Sequence, residues 1–305
     1  MKEQTDSKSK VAVLGLGRMG AALASTLLQN GRSLVVWNRS VEKAGPLVDA
    51  GAALASSVSE AIGQCELIIV CVGSYEHTNA MLTGTEPLWR GKTLLQLSGG
   101  ITEEAQALEK WTKQAKGIYL DGCILAFPDG IGSPKVSLMV TGNPSAWERH
   151  SELVLELGGA SSFLGEDVSS HLLLEYAFVL PNLFTFLGVI QGAYLSEQAG
   201  FPVEDYLSSV TSKTFFEGLR GEARRLGDAI VKDDFTDSQV ALKTYAASLS
   251  KRLVDFDGQG MSVDMVHAAR ALLGRAETAG YGGEGLSALI KLLRQGAKLD
   301  SNTTK

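Results

Sequence analysis

From Leu172 to Ser196 the chain carries a single charged side chain, Glu175. Length alone would let such a segment cross a bilayer, which takes about 20 apolar residues. Pro181, Asn182, Gln191 and Glu175 argue against that, as does the lack of Lys or Arg on either flank. The remaining reading is a helix buried on all faces, inside a large protein or between subunits. A lone carboxylate in that setting is costly unless its pKa rises or it takes part in chemistry. The segment also divides the sequence. Before it, short β-branched runs alternate with helical patterns; after it, the pattern is helical only.

A hydrophobic content of 45% and a charged content of 20% over 305 residues fit one or two globular domains. The net charge of −6 argues against nucleic acid or a membrane surface as the main partner. Cys65, Cys71 and Cys123 lie in or beside apolar runs at uneven spacing, so they read as reduced thiols rather than a disulfide frame or zinc site. The first ten residues are polar and mixed in charge, a frayed tail rather than a signal peptide. A cytoplasmic protein is expected, with no resident metal.

Val11–Leu14 reads as a buried strand, followed at once by Gly15-Leu16-Gly17-Arg18-Met19-Gly20 and a helical pattern over Ala21–Asn30. Strand, G-x-G-x-x-G and helix together form a dinucleotide-binding turn. The second strand, Leu34–Trp37, ends at Asn38-Arg39-Ser40, with Lys43 close behind. An NAD site usually places an acid here for the ribose 2′-OH. The acid is absent, and Arg39, Ser40 and Lys43 offer a charge and donors to a 2′-phosphate instead, so the expected cofactor is NADPH. Further strands are expected at Leu67–Val72, Thr93–Leu97, Ile118–Leu120 and Val136–Val140. Val72, Gly73 and Ser98, at strand ends, are expected to border the cofactor. Asp121–Pro134 reads as a Gly- and Pro-rich loop. The fold class is α/β: a doubly wound Rossmann domain over 11–165, an interdomain helix over 166–198 and an all-helical domain over 199–305. In that last part Ser262 reads as an N-cap for Met265–Ala279, Gly280–Gly283 as a stop, Leu286–Gln295 as a helix, and the rest as a polar, disordered tail.

At this point the sequence resembles the NADPH-dependent imine reductases and reductive aminases, relatives of the β-hydroxyacid dehydrogenases. The matching stretches are Gly15–Gly20, Val36-Trp-Asn-Arg-Ser40, Phe127-Pro-Asp-Gly-Ile-Gly-Ser-Pro134, Phe163-Leu-Gly165 and Gly282–Ile290. They span nearly the whole chain in the family's order. The resemblance implies a homodimer whose interdomain helices and C-terminal domains interlock. Each active site would then draw on the Rossmann domain of one chain and the helical domain of the other. It implies a catalytic group early in the long helix, usually Asp or, in some members, Tyr. Here Glu175 falls at the Asp position, with Tyr176 beside it in reserve. The family's second aromatic falls near Leu183, and Ala126, Phe127, Leu183 and Tyr245 are the expected substrate pocket.

The implied reaction is hydride transfer from NADPH to the carbon of a C=N bond, in a preformed imine or in reductive amination of a ketone by an amine. A Glu among Leu and Phe should have a raised pKa, which suits a general acid. Two other readings stay open. A β-hydroxyacid dehydrogenase would carry Lys in this helix, yet no Lys occurs between Lys135 and Lys213. A non-catalytic NADPH-binding regulator would need no acid at all. Four scattered histidines show no metal spacing, and His171, one turn before Glu175, is a candidate partner for it. Trp37 is expected to pack or to face the cofactor, and the Gly282 loop to close over it.

Overall fold

The computed structural model describes residues 10–236 and 238–300. The chain divides into two compact units that meet within one helix, after Leu183.

The first unit is an eight-stranded sheet with helices on both faces. It opens with β1 (Val11–Leu14), α1 (Arg18–Gln29), β2 (Leu34–Trp37), α2 (Gly45–Asp49), β3 (Ala53–Leu54), α3 (Val58–Gln64), β4 (Leu67–Val70) and α4 (Tyr75–Leu82). It continues with β5 (Thr93–Gln96), α5 (Thr102–Gln114), β6 (Ile118–Ile124), β7 (Leu138–Gly142), α6 (Pro144–Leu157) and β8 (Ser162–Phe163). The spatial order is β3-β2-β1-β4-β5-β6-β7-β8, and every pair is parallel except β6 with β7. The order reverses between β1 and β4, the crevice where such sheets take ligands.

Successive residues of a strand point to opposite faces, so each apolar strand feeds two cores. Val11 and Val13 join Leu23, Leu27 and Leu153 beneath α1 and α6. Ala12 and Leu14 join Ile62, Tyr75 and Leu108 beneath α3, α4 and α5. Arg32, just past α1, clamps one face: its guanidinium donates to Glu156 of α6 from Nε at 2.9 Å and from Nη2 at 2.5 Å.

Two expectations for this unit are corrected. Helix α1 starts at Arg18, not Ala21, because Gly17 takes the N-cap position. Strand β6 runs through Asp121 to Ile124, where a loop was expected. The antiparallel partner β7 extends it, pairing Asp121 with Thr141 and Cys123 with Met139. Gly122 makes the pairing possible, since a Cβ there would stand 2.8 Å from the Met139 carbonyl oxygen.

Helix α7 (Ser170–Gln198) begins in the first unit. The sequence leads one to expect burial on all faces, inside a large protein or between subunits. Within the chain only His171 and Leu172 are buried, and Leu173 is 79% exposed. A helix that is apolar all round needs cover on all sides, and its own chain covers one end.

The second unit holds the rest of α7 with α8 (Val203–Val210), α9 (Lys213–Lys232), α10 (Leu242–Gly258), α11 (Asp264–Thr278) and α12 (Leu289–Asp300). Leu242 and Ala246 pack against Leu273 and Ala276 as its buried cluster. Neither α8 nor α9 has a buried residue. Ser262 is not the N-cap of α11. Val263 takes that place, while the Ser262 carbonyl accepts from Gln191 and its N–H donates to Tyr194. The Gly282 loop is pinned to the start of α10 by Lys243 N–H to Gly282 O and Leu242 N–H to Glu284 O. Helix α12 continues to Asp300, through the start of the expected tail; residues 1–9 and 301–305 lie outside the described residues.

Candidate active site

The turn after β1 is built by two glycines in contact. Gly15 has φ of +97°, a conformation that side chains resist, and a Cβ on Gly20 would stand 1.9 Å from the Gly15 carbonyl oxygen. This draws α1 onto the strand end. Gly17 differs: its Cβ would meet no protein atom within 4 Å, so the space beside it is open. No side chain caps the α1 N-terminus there, and its first turn holds no acid. Free N–H groups and the positive end of a helix dipole therefore face an opening that a diphosphate can enter.

That opening is one cleft of about 630 Å³. Gly15, Gly17, Arg18, Met19 and Gly20 line one side, and Asn38, Arg39, Ser40 and Lys43 line another, together with Val72 and Gly73. Asn38 ties the two sides together: its Oδ1 accepts the Leu16 N–H and its Nδ2 donates to the Ser40 carbonyl, both at 2.8 Å. Leu16 itself is buried and turned away from the cleft. Ser98 stands behind the wall, its Oγ accepting the Val72 N–H at 3.1 Å. Trp37 lines the cleft, as do four residues the sequence reading did not assign: Cys71, His77, Ala80 and Met81. His77, Ala80 and Met81 come from α4, and Cys71 from the turn after β4. The residues present fit a dinucleotide with a 2′-phosphate, since cations and hydroxyls gather where an NAD site would place an acid.

Glu175 occupies the second turn of α7. It is half-buried, and burial raises its pKa above the usual carboxylate range. Tyr176, beside it, points elsewhere and is 57% exposed. Behind Glu175 lies a carboxyl from a stretch that the sequence alone reads as a loop. Asp121 of β6 is fully buried. Its Oδ2 accepts from Tyr75 at 2.5 Å and Tyr119 at 2.6 Å, and its Oδ1 accepts the Gly122 N–H at 2.9 Å. Burial, reinforced by the charge of Glu175, lifts Asp121 to about 7 despite these donors.

His171 was a candidate partner for Glu175 but faces the other way. Its Nδ1 meets Thr141 Oγ1 at 3.1 Å and its Nε2 lies 3.4 Å from Asp121 Oδ1. Burial lowers His171 to about 4, so this contact is not an ion pair at neutral pH. Nε2 is a buried polar atom without a hydrogen bond.

The expected substrate residues are dispersed. Ala126 and Phe127 follow β6, with Phe127 exposed; Leu183 is exposed on α7. None of these lines the 630 Å³ cleft. Tyr245 belongs to the second unit, where it borders a cavity of about 210 Å³ with Glu222, Arg225 and Ser287.

The NAD-binding domain of 6-phosphogluconate dehydrogenase matches residues 10–165. An imine reductase from Myxococcus stipitatus in complex with NADP⁺ is 29% identical, with a TM-score of 0.88 over 93% of this chain and 99% of that one. An imine reductase from a Pseudomonas species is 31% identical, with a TM-score of 0.83 over 94% and 99%. An NADPH-dependent reductive aminase from Aspergillus oryzae is 29% identical over 95% of this chain and 99% of its own length.

Proposed function

We infer, for a chain that belongs to the imine reductase and reductive aminase family, that its cleft holds NADPH and that it reduces C=N bonds to amines. It is an NADPH-dependent oxidoreductase. The observation that carries the reading is the pairing of two features in one unit. One is a dinucleotide cleft edged by Arg39, Ser40 and Lys43; the other is a half-buried acid, Glu175, in the apolar helix where a dehydrogenase of hydroxy acids would carry Lys.

The α1 N-terminus and Gly17 receive the diphosphate, and Arg39, Ser40 and Lys43 receive the 2′-phosphate. NADPH, when bound, supplies a hydride. Glu175 manages the proton. As a neutral acid it protonates the imine nitrogen, which makes the carbon a better hydride acceptor; as a carboxylate it holds an iminium cation in place. The substrate class is an imine, preformed or derived from a ketone and an amine, as the reductive aminase likeness suggests. Ala126, Phe127, Leu183 and Tyr245 remain our candidates for its pocket.

A second copy of this chain is our assignment for the cover of α7. Phe184 and Ile190 stand 63% and 65% exposed on it, too apolar for a stable water-facing surface, which suits an obligate homodimer. Light scattering should report a dimer, and Ile190→Asp should yield monomer. Three free thiols suit a reducing compartment, and we place the protein in the cytoplasm.

The deciding measurement is NADPH oxidation with a five- or six-membered cyclic imine, beside NADH and beside Glu175→Gln. Turnover that falls at least about 100-fold in the variant supports the assignment. Turnover that survives moves the proton to Tyr176 or solvent. Oxidation of a 3-hydroxy acid by NADP⁺ with no imine turnover would overturn the reading. Tight NADPH binding without turnover of either would leave a regulator.

A further inference from the structure

The hydrogen-bond pattern of the buried pair behind Glu175, Asp121 and His171, is incomplete in an informative way. The hydroxyl of Thr141 is aimed at the Asp121 carbonyl at 3.3 Å. A hydroxyl has one proton, so Nδ1 of His171 must donate to Thr141 for both contacts to exist. The Val168 carbonyl, which can only accept, also faces this ring. Nε2 is then a bare lone pair, buried without a donor, and the group across from it is Oδ1 of Asp121 at 3.4 Å. A carboxylate cannot donate; a carboxylic acid can. An unsatisfied buried acceptor is destabilising, and a proton on Oδ1 supplies the missing donor.

We propose that Asp121 holds a proton at neutral pH, donated from Oδ1 to Nε2 of His171, and that these two are positioning residues against which Glu175 ionises. The second carboxyl, Glu175, sits one helical turn beyond His171 and is felt electrostatically by both Asp121 and Cys123. Two carboxyls in a poorly solvated pocket resist carrying two charges. The groups facing the pair are Tyr75 from α4, Tyr119 and Cys123 from β6, Thr141 from β7, and Glu175 from α7. Glu104 acts on Tyr75, and Asp167 acts on His171. A neutral Asp121 adds no charge to the pocket in which Glu175 ionises. As pH rises, ionisation of Asp121 raises Glu175 further and prolongs its life as an acid.

The test is infrared spectroscopy of the full chain in a Glu175→Gln background, where any protonated-carboxyl band near neutral pH cannot come from Glu175. A band at pH 6 that disappears on adding Asp121→Asn supports the proposal. So does a nitrogen NMR signal for His171 typical of a neutral ring protonated on Nδ1. An imidazolium signal at pH 7, or no carboxylic acid band, overturns it. Should Asp121→Asn fail to fold, Tyr119→Phe serves: losing a donor to Oδ2 makes the band persist to higher pH, and an unchanged band overturns the proposal. These readouts need no turnover, so they stand apart from the imine reductase reading. A further readout rests on that reading. Asp121→Asn, which cannot acquire the charge that Asp121 gains on ionising, should move the alkaline limb of kcat/KM to lower pH, whereas a purely structural defect lowers the rate without moving the limb.

Discussion

The backbone N–H of Leu16, inside the glycine turn, donates to the side-chain oxygen of Asn38, 22 residues later at the end of β2. One amide thus sets the separation between the place for the diphosphate and the place for the 2′-phosphate. Its other end holds Ser40. Asn38→Leu should leave both segments folded but loosely registered. KM for NADPH should rise on the order of 10-fold with kcat within about twofold, checked by steady-state kinetics.

Gly17 and Gly20 belong to the same motif but should fail differently. At Gly20 a Cβ collides with the Gly15 backbone, so Gly20→Ala should lower stability by several kcal/mol and lose NADPH binding with it. At Gly17, φ is −67° and the space is open, so Gly17→Ala should melt close to wild type. Its methyl would occupy the diphosphate's position, and NADPH affinity should fall at least about 10-fold. Thermal melts beside fluorescence titration with NADPH separate the two cases.

If Arg39 holds the 2′-phosphate as proposed, Arg39→Ala should weaken NADPH by roughly 10- to 100-fold and leave NADH, which lacks that phosphate, almost unchanged. Dissociation constants for both coenzymes at two salt concentrations check this. An equal loss for both would mean that Arg39 is a surface charge.

Stability should decline on acidification through the buried histidines. His150 bonds Thr93 at 3.0 Å and is pushed down to about 4, chiefly by burial, with Arg149 adding to it. A histidine whose folded pKa is depressed contributes stability that is present above its unfolded value, near 6.5. That contribution is lost as pH falls toward 4, by as much as about 3 kcal/mol. Asp121 runs the opposite way: raised to about 7, its contribution is present below about 4 and lost as pH rises through 7. Denaturant unfolding from pH 4 to 8 should therefore show the acid limb flattening in His150→Gln.

Much of this arrangement is legible in the sequence, for identifiable reasons. Glycines at 15, 17 and 20 have no substitute in a close-packed turn, and the missing acid after Trp37 speaks through residue type alone. Glu175 announces itself as the one charge in an apolar run. Asp121 does not, because its meaning depends on Tyr75, 46 residues away, and on an antiparallel partner strand that no local pattern specifies. His171 was misplaced for a related reason. Helical spacing allows a contact with Glu175, but which side the ring takes is decided by β6 and β7.

Every residue lining the dinucleotide cleft falls between Gly15 and Met81, whereas Asp121, His171 and Glu175 are supplied by later segments. On the roles proposed for these residues, coenzyme choice and proton handling are written in separate stretches of the gene. A handful of substitutions near Arg39 could redirect the protein to another reductant pool while its acid and that acid's buried neighbours stay as they are. Selection, or a laboratory library, can therefore explore the two properties one at a time.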